Sequence, residues 1–418
     1  GRKFIPQGYW YEQANNVWLR SKMNIRYDSV FKMIDARIAN ISGTLKEHPI
    51  KFENVTGRVR YGANHFILVD TLKGKVGRTD FDLNMRYAVG PGRNKLKRSN
   101  YFRFNSGMLD IDELMNYDFS PHPATTAAPV KRTTVKQNDS LHAAGFNVFN
   151  IPFTTFDVQV AVKKIKYKQL WLKDLLADVH MQEDQKIKID TLAMGIAGGH
   201  VAMRGLFNAA NPEKLYFRNG IYLDQVDLSK LLIKFDNFGQ DFVLNNNLKG
   251  TLSGHIKSYV RMHPDLTPVL NESESQMDIE ICNGTLLDFG PMQAMAGYFK
   301  DKNLRMVRFD TLRNKLTLKN GVLEIPNMNI NSSLGYIEVS GTQSLDMSMD
   351  YYLRIPLKMV TKVGFQALFG RRQEEVDVDQ VDAIEYRDKN KNIRFMNLNI
   401  SGTPDKYKIA MKKAKKAS

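Results

Sequence analysis

Apolar and polar side chains alternate with a period of two residues along much of the chain. The clearest run is 345–355, in which every second side chain is apolar and the positions between are mostly polar. This alternation is typical of a strand with one apolar face and one solvated face. Shorter alternations precede it, separated by turn sequences such as Asn320-Gly321 and Ser340-Gly341. The pattern predicts an antiparallel meander over 309–357.

The same kind of sequence recurs through the rest of the chain. Glycine-punctuated alternation covers 1–90 and 186–262, and further strands are predicted at 153–165 and 393–410. Residues 168–181 fit either a helix or a strand, because their leucines have helical spacing. So many hairpins predict an elongated, mainly β architecture in which each unit contacts its neighbours. A compact sandwich is less compatible with this number of strands.

Two stretches have the start signal of a helix, and two others lack large apolar side chains. The helix candidates 291–303 and 356–370 each begin at a proline. Residues 120–141 are rich in Pro, Thr, Ala and Lys and cannot bury enough area to offset their ordering entropy, which predicts a flexible loop. Residues 263–276 predict a second polar loop. The predicted segments are 1–119, 120–141 (loop), 142–262, 263–276 (loop), 277–410 and 411–418 (basic tail).

Two short motifs repeat. Asp-Thr-Leu begins at Asp70, Asp190 and Asp310, so the copies are 120 residues apart (190−70 and 310−190). A glycine followed closely by Leu-Asp occurs at 107–110, 220–224 and 284–288. These repeats support the interpretation of an elongated chain of similar units.

The charge of the chain is strongly positive but widely spread. Its 418 residues have a formal net charge of +16, and 43% of them are hydrophobic, a globular value. Nucleic acid, an anionic membrane or lipid headgroup, or no partner at all would each be compatible with this basicity. A nucleic-acid site needs basic and aromatic residues concentrated on one face, whereas here the basic residues are spread through almost every strand and turn. We therefore expect no nucleic-acid partner.

Motifs for catalysis, metals and cofactors are lacking. The eight histidines have no metal-binding spacing, and the single Cys282 is interpreted as a small strand residue. Asp110, Asp112 and Glu113 are interpreted as caps of a short helical turn, and 195–199 as a turn because no helix follows it. No nucleophile elbow, Walker motif or dinucleotide fingerprint is present. We expect a nonenzymatic protein without cofactor or metal.

The membrane topology rests on hydropathy. No run of 18 apolar residues occurs, so no transmembrane helix is predicted. The sequence starts at Gly1 without a signal peptide, and we expect that a targeting or anchor segment has been left out.

One region resembles a known family. Residues 283–295 (NGTLLDFGPMQAM), the run 307–360 and the later NLNISGTPDKYKI at 397–409 resemble the C-terminal region of AsmA-like proteins of the Bacteroidetes type. The resemblance is specific over 277–410 and limited to glycine-punctuated style over 1–262. It lies in composite patterning and includes no catalytic signature.

The resemblance implies both a fold and a function. AsmA-like proteins, relatives of TamB and YhdP, imply a taco-like antiparallel β-groove with an apolar lining, similar to eukaryotic bridge-like lipid transfer proteins. They also imply a periplasmic body held to the inner membrane by an N-terminal helix, which this sequence lacks. The implied role is phospholipid movement between inner and outer membranes, which supports outer-membrane integrity. The expected partners are phospholipid or another acyl lipid and both membrane surfaces, with envelope proteins as further candidates.

Under this interpretation, three apolar alternations would line the groove. The expected lining residues are Phe81, Leu83, Met85, Tyr87, Met277, Ile279, Ile281, Leu345, Met347, Met349, Tyr351, Leu353 and Ile355. The helix predicted at 356–370 would plug the groove, rest on a membrane or pack as an ordinary cap, through Leu357, Val360, Phe365, Leu368 and Phe369.

Two alternatives to lipid transfer remain open at this point. The first is a periplasmic scaffold with a fully packed interior that assists outer-membrane protein assembly through protein contacts. The second is a carbohydrate-binding or carbohydrate-active β-solenoid, which would need convergent carboxylates. Bound lipid would distinguish the proposed function from the scaffold.

Overall fold

A computed structural model describes most of the chain. The residues that it describes are 18–30, 32–44, 51–62, 66–88, 100–114, 147–151, 153–167, 170–234, 247–288, 303–357, 383–388, 392–403 and 406–412. Within them the protein is mainly β, and twenty strands belong to one large, almost entirely antiparallel sheet. This confirms the predicted mainly β, antiparallel fold class.

Contacts divide the chain into two compact units. Unit 1 comprises Gly1–Ile196, Ala202–Leu215 and Pro264–Leu266, and unit 2 comprises Ala197–Val201, Tyr216–His263 and Thr267–Ser418. The first ten strands lie in unit 1: β1 (Trp18–Asp28), β2 (Met33–Thr44), β3 (Lys51–Gly62), β4 (Phe66–Val76), β5 (Thr79–Ala88), β6 (Asn100–Ser106), β7 (Leu109–Asp110), β8 (Phe156–Tyr167), β9 (Leu170–Met181) and β10 (Lys186–Ile196).

The next strand, β11 (Gly199–Asn208), has residues in both units. The strands of unit 2 are β12 (Tyr216–Asp227), β13 (Leu248–Met262), β14 (Pro268–Leu287), β15 (Met306–Lys319), β16 (Val322–Ser332), β17 (Gly335–Ser344), β18 (Met349–Pro356), β19 (Phe395–Thr403) and β20 (Lys406–Met411). The described helices are α1 (Ile111–Leu114), a 3-10 turn at Val148–Asn150 and α2 (Leu228–Lys234).

Neighbours in sequence are neighbours in the sheet. In unit 1, β1 to β6 pair successively and antiparallel, β6 and β7 pair parallel with β8, and β8, β9 and β10 continue antiparallel. In unit 2, β12 to β20 pair successively and antiparallel. The meander predicted over 309–357 is therefore present as β15 to β18.

Three local predictions differ from the structure or are resolved by it. The ambiguous segment 168–181 contains strand β9. The loop predicted at 263–276 is much shorter, because β14 already begins at Pro268 and His263 N donates to Thr267 O at 2.8 Å. Its polar side chains lie at the end of a solvated hairpin, where strands need few large apolar residues. The predicted loop 120–141 lies outside the described residues.

The strand predicted over 345–355 begins later in the structure, at Met349. Residues 345–348 form a turn in which Ser344 N donates to Ser348 O at 2.8 Å and Met347 has a positive φ of 67°. The Asp346 carboxylate accepts a hydrogen bond from Ser348 N at 3.0 Å. An aspartate that bonds to the backbone two residues later favours a turn, and this local bond outweighs the alternation of apolar residues.

Two aspartates at strand ends cap the helices that follow. Asp110, in the first copy of the Leu-Asp motif, ends β7, and its Oδ1 accepts a hydrogen bond from Glu113 N at 2.9 Å, which caps α1. Asp227, which ends β12 three residues after Asp224 of the second copy, accepts from Lys230 N at 3.1 Å and caps α2. The predicted capping role is thus confirmed for Asp110, whereas the Glu113 carboxylate accepts a hydrogen bond from Arg78 N at 2.7 Å instead. The predicted helix 291–303 lies outside the described residues except for Asn303.

Candidate functional site

The apolar face of unit 1 is continuous from strand to strand. Directly opposed residues make one row across nine strands, and every member is apolar: Ile25, Ala36, Val59, Val69, Met85, Phe102, Val158, Val179 and Ile189. Nine strands about 4.8 Å apart give this row a length of about 38 Å. Because side chains alternate between faces, the row belongs to one side of the sheet.

The predicted residues of β5 belong to this apolar face. Met85 is in the row, and Phe81, Leu83 and Tyr87 lie at alternate positions on the same strand. All four are half-buried, so their carbon surface is partly open to solvent. Exposure increases toward β1, where the side chains of Met23, Ile25 and Tyr27 are 44%, 62% and 66% exposed.

Unit 2 has a similar apolar face over its first strands. Ile221, Ile256, Met277 and Leu316 are directly opposed across β12 to β15 and are half-buried. The predicted residues Met277, Ile279 and Ile281 share this face, and the polar residues between them point to the other side. Ile281 is the exception in burial, because it packs with Leu228 of α2 and Phe309.

The same face is closed over the later strands of unit 2. The predicted lining residues Met349, Leu353 and Ile355 are 5%, 5% and 0% exposed, and they belong to a dry cluster with Leu398 and Ile400. Tyr351 packs against this cluster and is only partly buried. We call this set the closed cluster: Leu304, Val307, Leu334, Ile337, Met349, Leu353, Ile355, Met396, Leu398 and Ile400. Met349, Leu353 and Ile355 are therefore core residues.

The remaining predicted residues do not form a common site in the described structure. Leu345 and Met347 lie in the turn before β18, and Leu345 is 45% exposed. Leu357 directly follows β18 and is exposed. The other expected residues of the membrane or cap helix lie outside the described residues: Val360, Phe365, Leu368 and Phe369.

The opposite face of each unit is charged and carries cross-strand ion pairs. In unit 1, Arg58 and Asp35 are 2.6 Å apart, and the Arg58 hydrogen bond holds the pKa of Asp35 below its ordinary value. In unit 2, Lys319 and Glu274 are 3.1 Å apart, and Arg313 pairs with Glu280. Such exposed pairs stabilise the fold little, but they keep this face wet. The sheet therefore separates an apolar side from a charged side.

His180 is surrounded by three carboxylates on the charged face of unit 1. Its Nδ1 lies 2.7 Å from Asp157 Oδ1, and its Nε2 lies 3.1 Å from Asp190 and 3.5 Å from Asp178. The hydrogen bond with Asp157 and the nearby negative charges raise the pKa of His180. Lys188 pairs with Asp190 at 2.7 Å and offsets part of the negative charge. Among the described residues, no group has the arrangement of a metal site.

Cys282 is a partly buried strand residue, as predicted. It is a free thiol in β14, and burial raises its pKa. A thiol whose pKa is raised has little thiolate at neutral pH and therefore low reactivity.

Sequence reasoning missed most members of the nine-strand row. Phe102 and Val158 were not assigned to a face, because a parallel pairing between β6 and β8 leaves no local sequence signal. Val179 was not assigned to a strand face because the helical spacing of the leucines in 168–181 left the secondary structure of this segment ambiguous. The alternation of apolar and polar residues around each of these positions was the signal that could have assigned them to a face. Only the strand register, however, shows which apolar residues of neighbouring strands lie opposite each other.

Comparisons with known proteins gave no relative. No family model, curated protein or solved structure matches the chain. Among the described residues, none of the helices has the length and apolar character needed to cross a bilayer.

Proposed function

We propose that this protein binds phospholipid acyl chains on the apolar faces of its sheet and transfers phospholipid between membranes without catalysis. The setting that we propose is the periplasm, between an inner membrane to which the protein is anchored and an outer membrane whose integrity it supports. This proposal places the chain with AsmA-like proteins, whose C-terminal sequence it resembles.

The observation that carries the proposal is the register. In unit 1, an apolar side chain lies directly opposite another at every step across nine strands, and seven of the nine are half-buried, whereas Val69 is buried and Ile25 is exposed. This row offers an acyl chain an uninterrupted hydrocarbon path. Burying a C16 chain there would contribute roughly 13 kcal/mol at about 0.8 kcal/mol per CH₂ group. A lipid would also cover carbon surface of the sheet that is partly open to water.

A second function is favoured by the closed cluster of unit 2. A dry interior is what a protein scaffold for outer-membrane assembly would have, and β17 to β19 have one. Lipid transfer and the scaffold function differ in what they require of β12 to β15, where the apolar face is half-buried. A scaffold needs no ligand on these strands, whereas a lipid carrier does.

The test combines native mass spectrometry with a matched pair of variants. Met277→Asn with Leu316→Asn places two amides directly opposite each other on the apolar face. Gln276→Asn with Thr317→Asn changes the adjacent opposed pair on the charged face and is the control. The assays are organic extraction of co-purified lipid, uptake of a labelled phospholipid and its transfer between vesicles.

We expect co-purified phospholipid with the natural sequence and with the control variant. The apolar-face variant should retain its circular dichroism spectrum but lose most uptake and transfer, because two unpartnered amides would meet the acyl chain. If the purified protein contains no lipid and does not take up labelled phospholipid, the scaffold function is favoured. Equal transfer by both variants would exclude this part of the apolar face as the lipid path.

A further inference from the structure

The tip of the β8–β9 hairpin has an unusual concentration of positive charge. Its described residues, 163–167 and 170–173, read KKIKY and LWLK, with four lysines, two aromatic residues and no acidic residue. The next residue, Asp174, forms no ion pair within the described part of the chain. This tip belongs to unit 1.

A shallow cavity of about 630 Å³ lies at the hairpin tip. Its walls are almost entirely carbon, from lysine stems, a methionine and an indole. They are formed by Gly107, Met108, Lys163, Lys164, Trp171 and Lys173. Trp171 is 49% exposed, whereas Ile165 on the same hairpin is 3% exposed and anchors it to the sheet.

The three lysines of the cavity have no carboxylate partner among the described residues. Asp80, which is close by, accepts hydrogen bonds from the backbone amides of Gly107 and Met108 at 2.8 and 2.7 Å. Glu113 lies 3.7 Å from Arg78. The nearby acids therefore interact with other groups.

Two of these lysines also repel each other. Lys164 and Lys173 are directly opposed in the β8–β9 pairing. Like charges at directly opposed positions destabilise a sheet, so the arrangement costs stability in the isolated protein. An anionic partner would remove this cost.

We propose that the β8–β9 tip docks on the surface of a bilayer that contains anionic phospholipids. Tryptophan prefers the interface between headgroups and acyl chains, and lysine extends its ammonium group from a carbon stem to the phosphates. Trp171 inserts at the headgroup level, with the three lysines around it. The shallow, carbon-walled site lacks the convergent backbone amides or arginine forks that fix a free phosphate ion. This docking does not depend on lipid binding by the apolar faces.

The first experiment is flotation of the full chain with vesicles. One population is phosphatidylcholine alone, and the other has about 30% phosphatidylglycerol. The test variant is Lys163→Gln, Lys164→Gln and Lys173→Gln. The control removes the same charge from exposed lysines elsewhere that form no ion pair in the described structure: Lys214→Gln, Lys249→Gln and Lys257→Gln.

We expect salt-sensitive binding to the anionic vesicles only, weakened about a hundredfold by the test variant and less than about threefold by the control. Equal losses in the two variants would overturn the proposal, because net charge alone would then explain binding. A test variant that loses affinity for single-stranded DNA but not for vesicles would also overturn it. The test variant should fold, because it removes a repulsive pair.

A second measurement uses unmodified lysines. With Trp10→Phe and Trp18→Phe, Trp171 is the sole tryptophan of the chain. Its fluorescence should shift to the blue with anionic vesicles and be quenched by brominated acyl chains. An unchanged spectrum in a vesicle-bound sample would place the docking surface elsewhere and refute the proposal. Lipid content after purification, measured separately, reports only on the apolar faces.

Discussion

The contrast between open and closed parts of the unit 2 face can be tested with two leucine truncations. Leu398 is 0% exposed in the closed cluster, and Leu316 is a half-buried member of the open face. Removing a fully buried leucine side chain leaves a cavity and costs about 3–4 kcal/mol. Removing a half-buried one loses less contact area and leaves no enclosed cavity, so we expect about 1–1.5 kcal/mol for Leu316→Ala.

The assay is urea denaturation of delipidated protein, with and without a soluble short-chain phospholipid. A ligand at a hundred times its Kd stabilises the folded state by about 2.7 kcal/mol. Leu316→Ala should lose part of this gain because Leu316 would contact the acyl chain, whereas Leu398→Ala should keep it. If Leu316→Ala cost as much as Leu398→Ala without lipid, the face at β15 would be a closed core and the reasoning would fail.

Two further predictions concern the charged face and a tight contact. The raised pKa of His180 means that its ion pairs stabilise the fold fully below about pH 6 and lose this effect as the pH rises through the folded-state pKa. The melting temperature should therefore fall less between about pH 6 and pH 9 in His180→Asn than in the natural sequence, and equal slopes would contradict this assignment. In Gly284→Ala, the new Cβ would lie 1.9 Å from the buried Phe309 ring, and we expect a loss of about 3 kcal/mol in urea denaturation. Gly220→Ala meets no atom within 4 Å and is the control; a similar loss there would reject the steric explanation.

The alternation of apolar and polar residues predicted the strands well because one face of the sheet is apolar and the other is charged and exposed to water. Met277, Ile279 and Ile281 alternate with the acidic residues Asp278 and Glu280, and the structure places the three apolar residues on one face. The failure at 345–348 has the opposite origin. There the alternation was present, but the hydrogen bond from Ser348 N to Asp346 fixes a turn, and an apolar pattern carries no information on such a local competitor.

The extent of the open face could not be predicted from the sequence. Leu353 and Met85 sit in similar alternations, yet one is 5% exposed and the other is half-buried. The burial of a side chain depends on which residues pack against its face of the sheet. Tertiary contacts determine this packing, and the two-residue period of the sequence does not. The site at the β8–β9 tip was missed for a related reason. Lys164 and Lys173 are nine positions apart, and only the pairing shows that they are opposed.

The parallel pairing of β6 with β8 has a consequence for how unit 1 folds. The antiparallel hairpins on either side bring together residues that are close in sequence, so each can close quickly. Joining Asn100 to Phe156 requires closure over 56 positions (156−100) without a hairpin to guide it. We therefore expect β1–β6 and β8–β10 to form as separate nuclei, and the seam between them to be the late, rate-limiting event in the assembly of this unit.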